Sequence, residues 1–337
     1  MNAFGAGALR PVALGLAALL LATLPIWAGG TYYVNVASQI LFWAVFALAL
    51  NVLVGYAGLV SLGHAGLFGM AGYAAALTLA AGGGHALAIG ASLVLTVATA
   101  ALFAILSLRT TGIGFLMITL ALGQILWGIA YRWAGLTGGD NGVNLSSRPA
   151  PFGVSLASAE AFYYATLATF VLCVASMVLF VRSPFGAALR GARDQPRRMN
   201  ALGYNVWLTR FLAFLFSSVW TAAAGLLFLY YNQFVSPQVA ALQTSAEALL
   251  MVISGGTATL VGPVVGAAIV VVMKNVVSAY VERWNLVLGV IFVAIISFMP
   301  EGLVPGSVRL ARDGFRAARS RRARAPAAAV VPEEGAP

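Results

Sequence analysis

The 337-residue chain is 61% hydrophobic and only 8% charged, and its formal net charge is +10. Soluble domains carry about 25% charged residues, so this composition excludes an ordinary soluble fold. We expect lipid to be the solvent for most of the surface. Helices are the natural spanning elements because each satisfies its own backbone hydrogen bonds. The predicted fold class is therefore an all-α polytopic membrane protein.

The excess of positive charge does not indicate a nucleic-acid partner. The arginines stand beside apolar runs, where basic residues mark the cytoplasmic side of a membrane, and membrane lipid is the expected surrounding. Cys173 is the single cysteine, and histidine occurs only at His64 and His85. These residues offer no metal-ligand spacing and no catalytic constellation, so we expect neither a metal site nor an enzyme.

The first part of the chain predicts four spans. Arg10 and a leucine-rich stretch after it resemble a signal peptide, but an uncleaved first span is preferred because many apolar runs follow. No Asp, Glu, Lys or Arg occurs between Arg10 and Arg109, and about 20 residues are needed per span. Glycine-rich breaks are expected at Gly29–Thr31, Gly55–Gly63 and Gly82–His85. Four spans return the chain to the side of the membrane on which it began, so Arg10 and Arg109 are both expected in the cytoplasm.

The remaining spans follow from the charged boundaries. Single spans are predicted at Thr110–Tyr131, Ala161–Val181 and Phe211–Tyr231, followed by three more at 244–259, 262–281 and 285–300. This gives about ten helices with both termini cytoplasmic. An eight-helix arrangement with a re-entrant segment is the alternative.

Two cytoplasmic segments accompany this count. The arginine-rich loop, residues 182–210, carries six arginines. The number of spans that precede it is enough to place it in the cytoplasm, and this agrees with the positive-inside rule. Residues 1–308 form the predicted transmembrane domain. Residues 309–337 form a basic tail that lacks apolar periodicity and is expected to be disordered.

The arginine-rich loop also carries the pattern of a short helix. Asp194 is the expected N-cap, Pro196 suits the first turn, and Gly203 suits the position just after the last turn. Met199 and Leu202 would share one face. A topology signal needs no such pattern, which favours a docking element for an acidic or polar cytoplasmic partner.

At this loop the sequence resembles a known family. The stretch NVLVGYAGLVSLGHAGLFGMAGYAAAL (Asn51–Leu77) is followed in order by RTTGIGFLMITLALGQ, LTGGDNGV, RSPFGAALRGARD, ALGYNV and LLMVISGGTATLVGPVVGA. Together they resemble the LivM-type permease of branched-chain amino-acid ABC importers, over about residues 35–305. Several spaced motifs in one order are far more specific than any one of them.

The resemblance implies partners and a docking site. A second, similar permease would pair with this chain, two cytoplasmic ATPases would power the pair, and a periplasmic binding protein would deliver substrate in the bacterial inner membrane. The docking residues that it implies are Arg190, Arg193, Asp194, Arg197, Arg198, Asn200, Ala201, Leu202 and Gly203. Related permeases carry urea, short amides or aromatic acids, and these substrates stay open.

The source of energy must lie outside this chain. No G-x-x-x-x-G-K-[ST] motif occurs, so the loop that cradles phosphate is missing. We expect no cofactor here, with ATP bound by partner subunits. An ion-coupled secondary transporter is the alternative from another class, but Glu247 is the only carboxylate available for it.

Polar residues predicted inside the spans are candidates for the translocation pathway. They are Asn51, Ser61, His64, Thr119, Gln124 and Glu247. For His64, packing against a neighbouring helix is favoured over a pathway role, and the glycines around it are expected to serve packing. The loop Leu136–Asn144 is either a solvated turn or a contact for the binding protein.

Glu247 and Lys274 are predicted to form an ion pair. Both fall in the outward-facing halves of adjacent, antiparallel helices. An intramembrane charge costs about 2.5–3.5 kcal/mol on insertion scales, so such residues usually find a partner. The alternative is that each reaches the interface separately.

Overall fold

The computed structural model describes residues 21–25, 30–145, 156, 158–280, 284–299, 301–307 and 309. Most of the predicted first span and the basic tail beyond residue 309 lie outside the described residues. The described chain is mostly helical, which confirms the predicted all-α class. The helices are α1 Thr31–Asn51, α2 His64–Ala80, α3 His85–Ser107, α4 Ile113–Arg132, α5 Ala134–Thr137, α6 Ala159–Arg182, α7 Pro184–Asp194, α8 Pro196–Ala201, α9 Val206–Asn232, α10 Leu242–Gly255, α11 Gly262–Val277 and α12 Trp284–Phe298.

Five of these helical segments are long and apolar enough to cross a membrane. They are Thr31–Ala57, His85–Ser107, Ile113–Arg132, Ala159–Arg182 and Val206–Asn232. At 1.5 Å per residue, each spans about 30 Å or more, the thickness of the hydrocarbon core. Two shorter apolar helices, α2 and α11, pack between them. The chain is thus a multi-pass membrane protein, while the total of ten spans stays a prediction.

Helix α1 is the centre of the bundle. In its most apolar stretch 89% of residues are buried, against 22–28% in α3, α4 and α6. It packs against α6, α9, α10 and α11, whereas α2 packs against α3, α4 and α9. Because α1 is apolar on every side, it can be surrounded by other helices without leaving polar groups unpaired.

Helices α10 and α11 form an antiparallel hairpin that is shorter than the predicted spans. They contain 14 and 16 residues, or about 21 and 24 Å of helix. The predicted segments 244–259 and 262–281 end later than the helices do. The chain leaves α10 at Gly256, whose φ of +118° is incompatible with a helix. Residues 256–261 between α10 and α11 form the hairpin loop, in which Gly256 is buried, residues 258–260 are partly buried, and Thr257 and Val261 are exposed.

The sheet is a minor element. Strand β1 (Val143–Asn144) pairs antiparallel with β2 (Phe234–Val235). A 3₁₀ turn, Pro237–Ala240, follows β2 and packs against α2 and α4. The segment Leu136–Asn144 is therefore partly built into the fold, although Asp140 within it is exposed.

Glycines in the first two helices allow close packing, as the sequence suggested. A methyl group at Gly63 would overlap the Thr119 carbonyl oxygen, and one at Gly69 would approach the Ala240 side chain to 2.8 Å. Gly66 faces Gly123 across the α2–α4 contact. The same tight fit holds for the glycines predicted to pack: Gly55, Gly58, Gly63, Gly66, Gly69 and Gly72.

Candidate functional site

The chain changes conformation inside the protein where α1 gives way to α2. After Asn51 a π-helical turn runs over Val52–Ala57, and Gly58 follows in the left-handed region at φ +68°. Residues 52–63, the α1–α2 connection, are largely buried. Backbone groups that leave a regular helix at this depth need partners from elsewhere in the protein.

Asn51 fastens the connection to the hairpin loop. Its side chain is 1% exposed; Nδ2 donates to the Thr259 carbonyl at 2.7 Å, and the Ala258 N–H donates to Oδ1 at 3.1 Å. Ala258 has φ +59°, a conformation that is costly for a residue with a Cβ. The Asn51 amide satisfies both backbone groups and thereby holds this turn against the end of α1.

His64 lies at the start of α2 with both ring nitrogens paired. Nδ1 is 2.8 Å from the Ser61 hydroxyl and Nε2 is 3.1 Å from the Ser217 hydroxyl. Ser217 gives its own proton to the Ala49 carbonyl at 2.6 Å, so its oxygen accepts from Nε2–H and Nδ1 accepts from Ser61. Because His64 is only 1% exposed and both of its ring nitrogens are paired, the structure favours packing over a pathway role for this residue.

Two further helices bind the same region through hydroxyl groups. The Leu62 N–H donates to Thr119 Oγ1 at 3.3 Å, which ties α4 to the connection. The Ala65 N–H donates to Ser245 Oγ at 3.0 Å, which ties α10 to it. Both N–H groups lie in the first turn of α2 or just before it, where no intrahelical acceptor is available.

The predicted pathway residues divide into two groups. Asn51, Ser61, His64 and Thr119 gather around the α1–α2 connection. Gln124 is half-buried on α4, and no hydrogen bond joins it to this group within the described residues. Glu247 lies elsewhere, on α10. Ser217 and Ser245 complete the connection and were not predicted, while Arg193 was predicted only as a docking residue; their contacts with the connection are long-range in the sequence.

The structure brings Glu247 and Lys274 together. Lys274 Nζ lies 3.5 Å from Glu247 Oε2, and Gln243 Nε2 lies 3.4 Å from Oε1. The Glu247 side chain is 10% exposed and that of Lys274 is 47% exposed. They border a cavity of about 250 Å³.

The arginine-rich loop contains two helices, not one. Helix α7 was missed, although its signal was present: Ser183 accepts from the Gly186 N–H at 3.2 Å as N-cap, and Pro184 occupies the first turn. The predicted N-cap Asp194 is wrong. It is the last residue of α7, and the residue before α8 is Gln195, which makes no side-chain cap. Pro196 at the first position of α8 has no N–H, so this helix start has one fewer free N–H group to satisfy.

The end of α8 confirms the predicted role of Gly203 as helix terminator. Gly203 has φ +87°, and its N–H donates to the Asn200 carbonyl at 3.0 Å. The Tyr204 N–H donates to the Met199 carbonyl at 3.1 Å, which completes a Schellman motif. Met199 packs against Gly191, where a side chain would collide with its sulfur. Helices α7 and α8 thus form one compact unit, the α7–α8 element.

All nine predicted docking residues are exposed on the α7–α8 element. They are Arg190, Arg193, Asp194, Arg197, Arg198, Asn200, Ala201, Leu202 and Gly203. Leu202 is 65% exposed, a large apolar side chain that follows Arg198 by four residues. Such a surface suits a partner that is acidic at its rim and apolar at its centre.

Arg193 joins the α7–α8 element to the α1–α2 connection. Its guanidinium donates to the Gly55 carbonyl, and its methylene groups cover Gly58, where a Cβ would lie 2.8 Å from Arg193 Cγ. From α9, Arg210 Nη2 donates to the Ala192 carbonyl at 3.0 Å. The surface element is therefore bonded directly to the backbone of the buried connection.

These features define a multi-pass helical membrane protein with a basic surface element fastened to its core. The chain belongs to the family of branched-chain amino acid transport system permease components, whose model matches residues 32–296. It is 26% identical to the high-affinity branched-chain amino acid transport system permease protein LivM of Salmonella typhimurium, over 81% of this chain and 70% of the relative. Identity to LivM of Escherichia coli is 25%, with the same coverage. No solved structure matches the chain.

The role of Asn51 can be tested by truncating its amide. Asn51→Ala leaves the partly buried Ala258 N–H and Thr259 carbonyl without their side-chain partner, at a cost of about 1 kcal/mol for each, so the protein should unfold at a lower temperature. Asn232→Ala is the matched control, because Asn232 is exposed and donates to the Phe228 carbonyl one turn earlier on its own helix. Reaction of a thiol dye with buried Cys173 during heating in detergent reports unfolding. Equal midpoints for both variants would contradict the role of Asn51.

Proposed function

We propose that this chain is the permease subunit of an ATP-driven, binding-protein-dependent importer of branched-chain amino acids in the bacterial inner membrane. Membership of the permease family supports the substrate class. The observation that carries the proposal is the α7–α8 element, an exposed basic surface bonded to the core through Arg193. Membrane topology alone would require basic residues here but not a capped pair of helices that is bonded to the core.

The proposed assembly has four kinds of subunit. A second, similar permease pairs with this chain, two cytoplasmic ATPases bind ATP, and a periplasmic binding protein brings substrate to the opposite face. This chain contributes no nucleotide site, in keeping with the missing phosphate loop. Its own task is to move substrate without chemical change, so it is not an enzyme.

The docking surface of the proposed ATPase contact is made by both helices of the α7–α8 element. Arg197 and Arg198 are exposed and supply charge for an acidic groove, while Leu202 supplies an apolar anchor near its centre. Arg190 donates to the Val181 carbonyl at 3.1 Å, so it also braces the element against the end of α6.

Arg193 is proposed to pass movement of the element to the membrane-spanning part. A displacement of α7 pulls on the Gly55 carbonyl, and Asn51 passes the same displacement to the hairpin loop. Ser61, His64 and Thr119 resist deformation of the connection through their hydrogen bonds. ATP-dependent closure of the two ATPases would thus act on the cytoplasmic ends of α1, α2, α10 and α11 together.

The function is tested by purifying the protein from its native membrane in mild detergent and reconstituting it in vesicles. We expect two ATPases and a second permease to co-purify, and radiolabelled leucine to enter the vesicles when ATP and loaded binding protein are supplied. Uptake driven by a proton or sodium gradient without ATP would contradict the proposal and favour a secondary transporter. Uptake of urea or short amides instead of leucine would overturn the substrate class alone.

The docking surface is tested by reversing two of its charges. Arg197→Glu with Arg198→Glu should remove the ATPases from the purified complex, because the two new carboxylates would be repelled by an acidic groove. Arg109→Glu with Arg132→Glu makes the same charge change at exposed positions outside the element and should leave the ATPases bound. Mass spectrometry of the two purified complexes gives the comparison. Equal recovery of the ATPases would show that they dock elsewhere.

A further inference from the structure

A cavity of about 250 Å³ lies among α1, α9, α10 and α11, on the side predicted to face the periplasm. It reaches Trp43, about 18 Å along α1 from Thr31 and so near the middle of the hydrocarbon core. Pockets for drug-sized ligands measure about 300–1,000 Å³, so this one suits a smaller molecule. Its lining residues are Trp43, Phe228, Gln238, Val239, Ala241, Gln243, Thr244, Glu247 and Lys274.

One wall of the cavity carries a carboxylate and an ammonium group side by side. Glu247 is 8% exposed as a residue, so its charge is nearly withdrawn from solvent. Lys274 supplies the opposite charge from the neighbouring helix. The pair keeps the cavity neutral, which reduces the cost of holding both groups at membrane depth.

The contacts of this pair are loose. The Lys274–Glu247 distance is 3.5 Å and the Gln243–Glu247 distance is 3.4 Å, against about 2.7–2.9 Å for a close charge-assisted hydrogen bond. A ligand ammonium could approach the Glu247 carboxylate more closely than either present donor. A ligand carboxylate could likewise form an ion pair with the Lys274 ammonium. Glu247 and Lys274 would then each exchange a long contact for a shorter one with the ligand.

Apolar side chains form a further part of the lining, the apolar wall, made of Trp43, Phe228 and Val239. Gln238 and Thr244 add polar groups to the same cavity. The cavity therefore combines opposite charges with an apolar surface.

We propose that this cavity binds the substrate as a zwitterion, with Glu247 taking the α-ammonium, Lys274 taking the α-carboxylate and the apolar wall taking the aliphatic side chain. This inference rests on the proposed function and goes further, because it names a substrate site within this chain. The α-ammonium and α-carboxylate of an amino acid are bonded to the same carbon and so lie close together. The Lys274 ammonium and the Glu247 carboxylate are also close together, 3.5 Å apart. A neutral amide or urea could make hydrogen bonds to this pair but would lack the attraction between opposite charges, and an acid without an amine would pair only with Lys274.

The test uses the complete transporter in vesicles, with saturating leucine-loaded binding protein, and measures initial leucine uptake and ATP hydrolysis together. The variants are Glu247→Gln, Lys274→Met and the double variant. We expect each single variant to lower uptake about tenfold or more, as for a deleted hydrogen bond to a charged group. Loaded binding protein should still stimulate ATP hydrolysis, since neither residue belongs to the docking surface.

The double variant separates a ligand site from a structural ion pair. It leaves no unpaired charge, so it should restore uptake if the pair only stabilises the fold. If the pair binds substrate, uptake stays as low as in the single variants, and this result is expected. Recovery in the double variant, or uptake within twofold of the unmodified transporter in the single variants, overturns the inference.

Glu301→Gln is the matched control. It makes the same chemical change in an exposed ion pair, in which Arg309 Nη1 lies 3.1 Å from Glu301 Oε1, and it should leave uptake unchanged. Failure of the inference differs from failure of the proposed function. In the first case the unmodified transporter imports leucine, and either the single variants or the double variant import it too. In the second case the unmodified transporter imports no amino acid at all.

Discussion

Backbone polar groups that are buried away from water must find partners within the protein, and the α1–α2 connection is where this constraint acts most strongly. The chain leaves helical geometry there, so N–H and carbonyl groups around residues 49–65 have to be satisfied by side chains. Ser217, Ser245, Thr119 and Arg193 reach them from four different helices. One buried turn thereby fixes the relative positions of α1, α2, α4, α7, α9 and α10.

The same constraint explains why a surface element can act on the interior. Arg193 is partly exposed, yet it bonds the Gly55 carbonyl that the π-helical turn leaves available. Asn51, one turn earlier, bonds the hairpin loop. A force applied to α7 can pass through consecutive hydrogen bonds to two pairs of helices, α1 with α2 and α10 with α11. A regular helix in place of residues 52–63 would offer the arginine no free carbonyl.

Sequence patterns predicted most of the helices but few of their contacts. The break at Gly82–His85 and the spans near Thr110, Ala161 and Phe211 were correct within a few residues, because lipid demands long apolar runs and charges bound them. Helix α7 was not predicted, although Ser183 and Pro184 mark its start; because this helix runs to Asp194, that residue ends one helix and does not cap the next. The contacts of Arg193 and Ser217 join residues more than a hundred positions apart, which no local pattern encodes.

The measurement that tests the account most directly is the ratio of ATP hydrolysed to leucine imported by an Arg193→Ala transporter. The account predicts that the ATPases still bind and hydrolyse ATP, because the exposed face of α8 is intact, while leucine import falls about tenfold or more with loss of a charged hydrogen bond to Gly55. Arg197→Ala, which removes an arginine from α8 without touching the connection, should keep the ratio of the unmodified transporter. An unchanged ratio in Arg193→Ala would contradict the link between the α7–α8 element and the membrane-spanning helices.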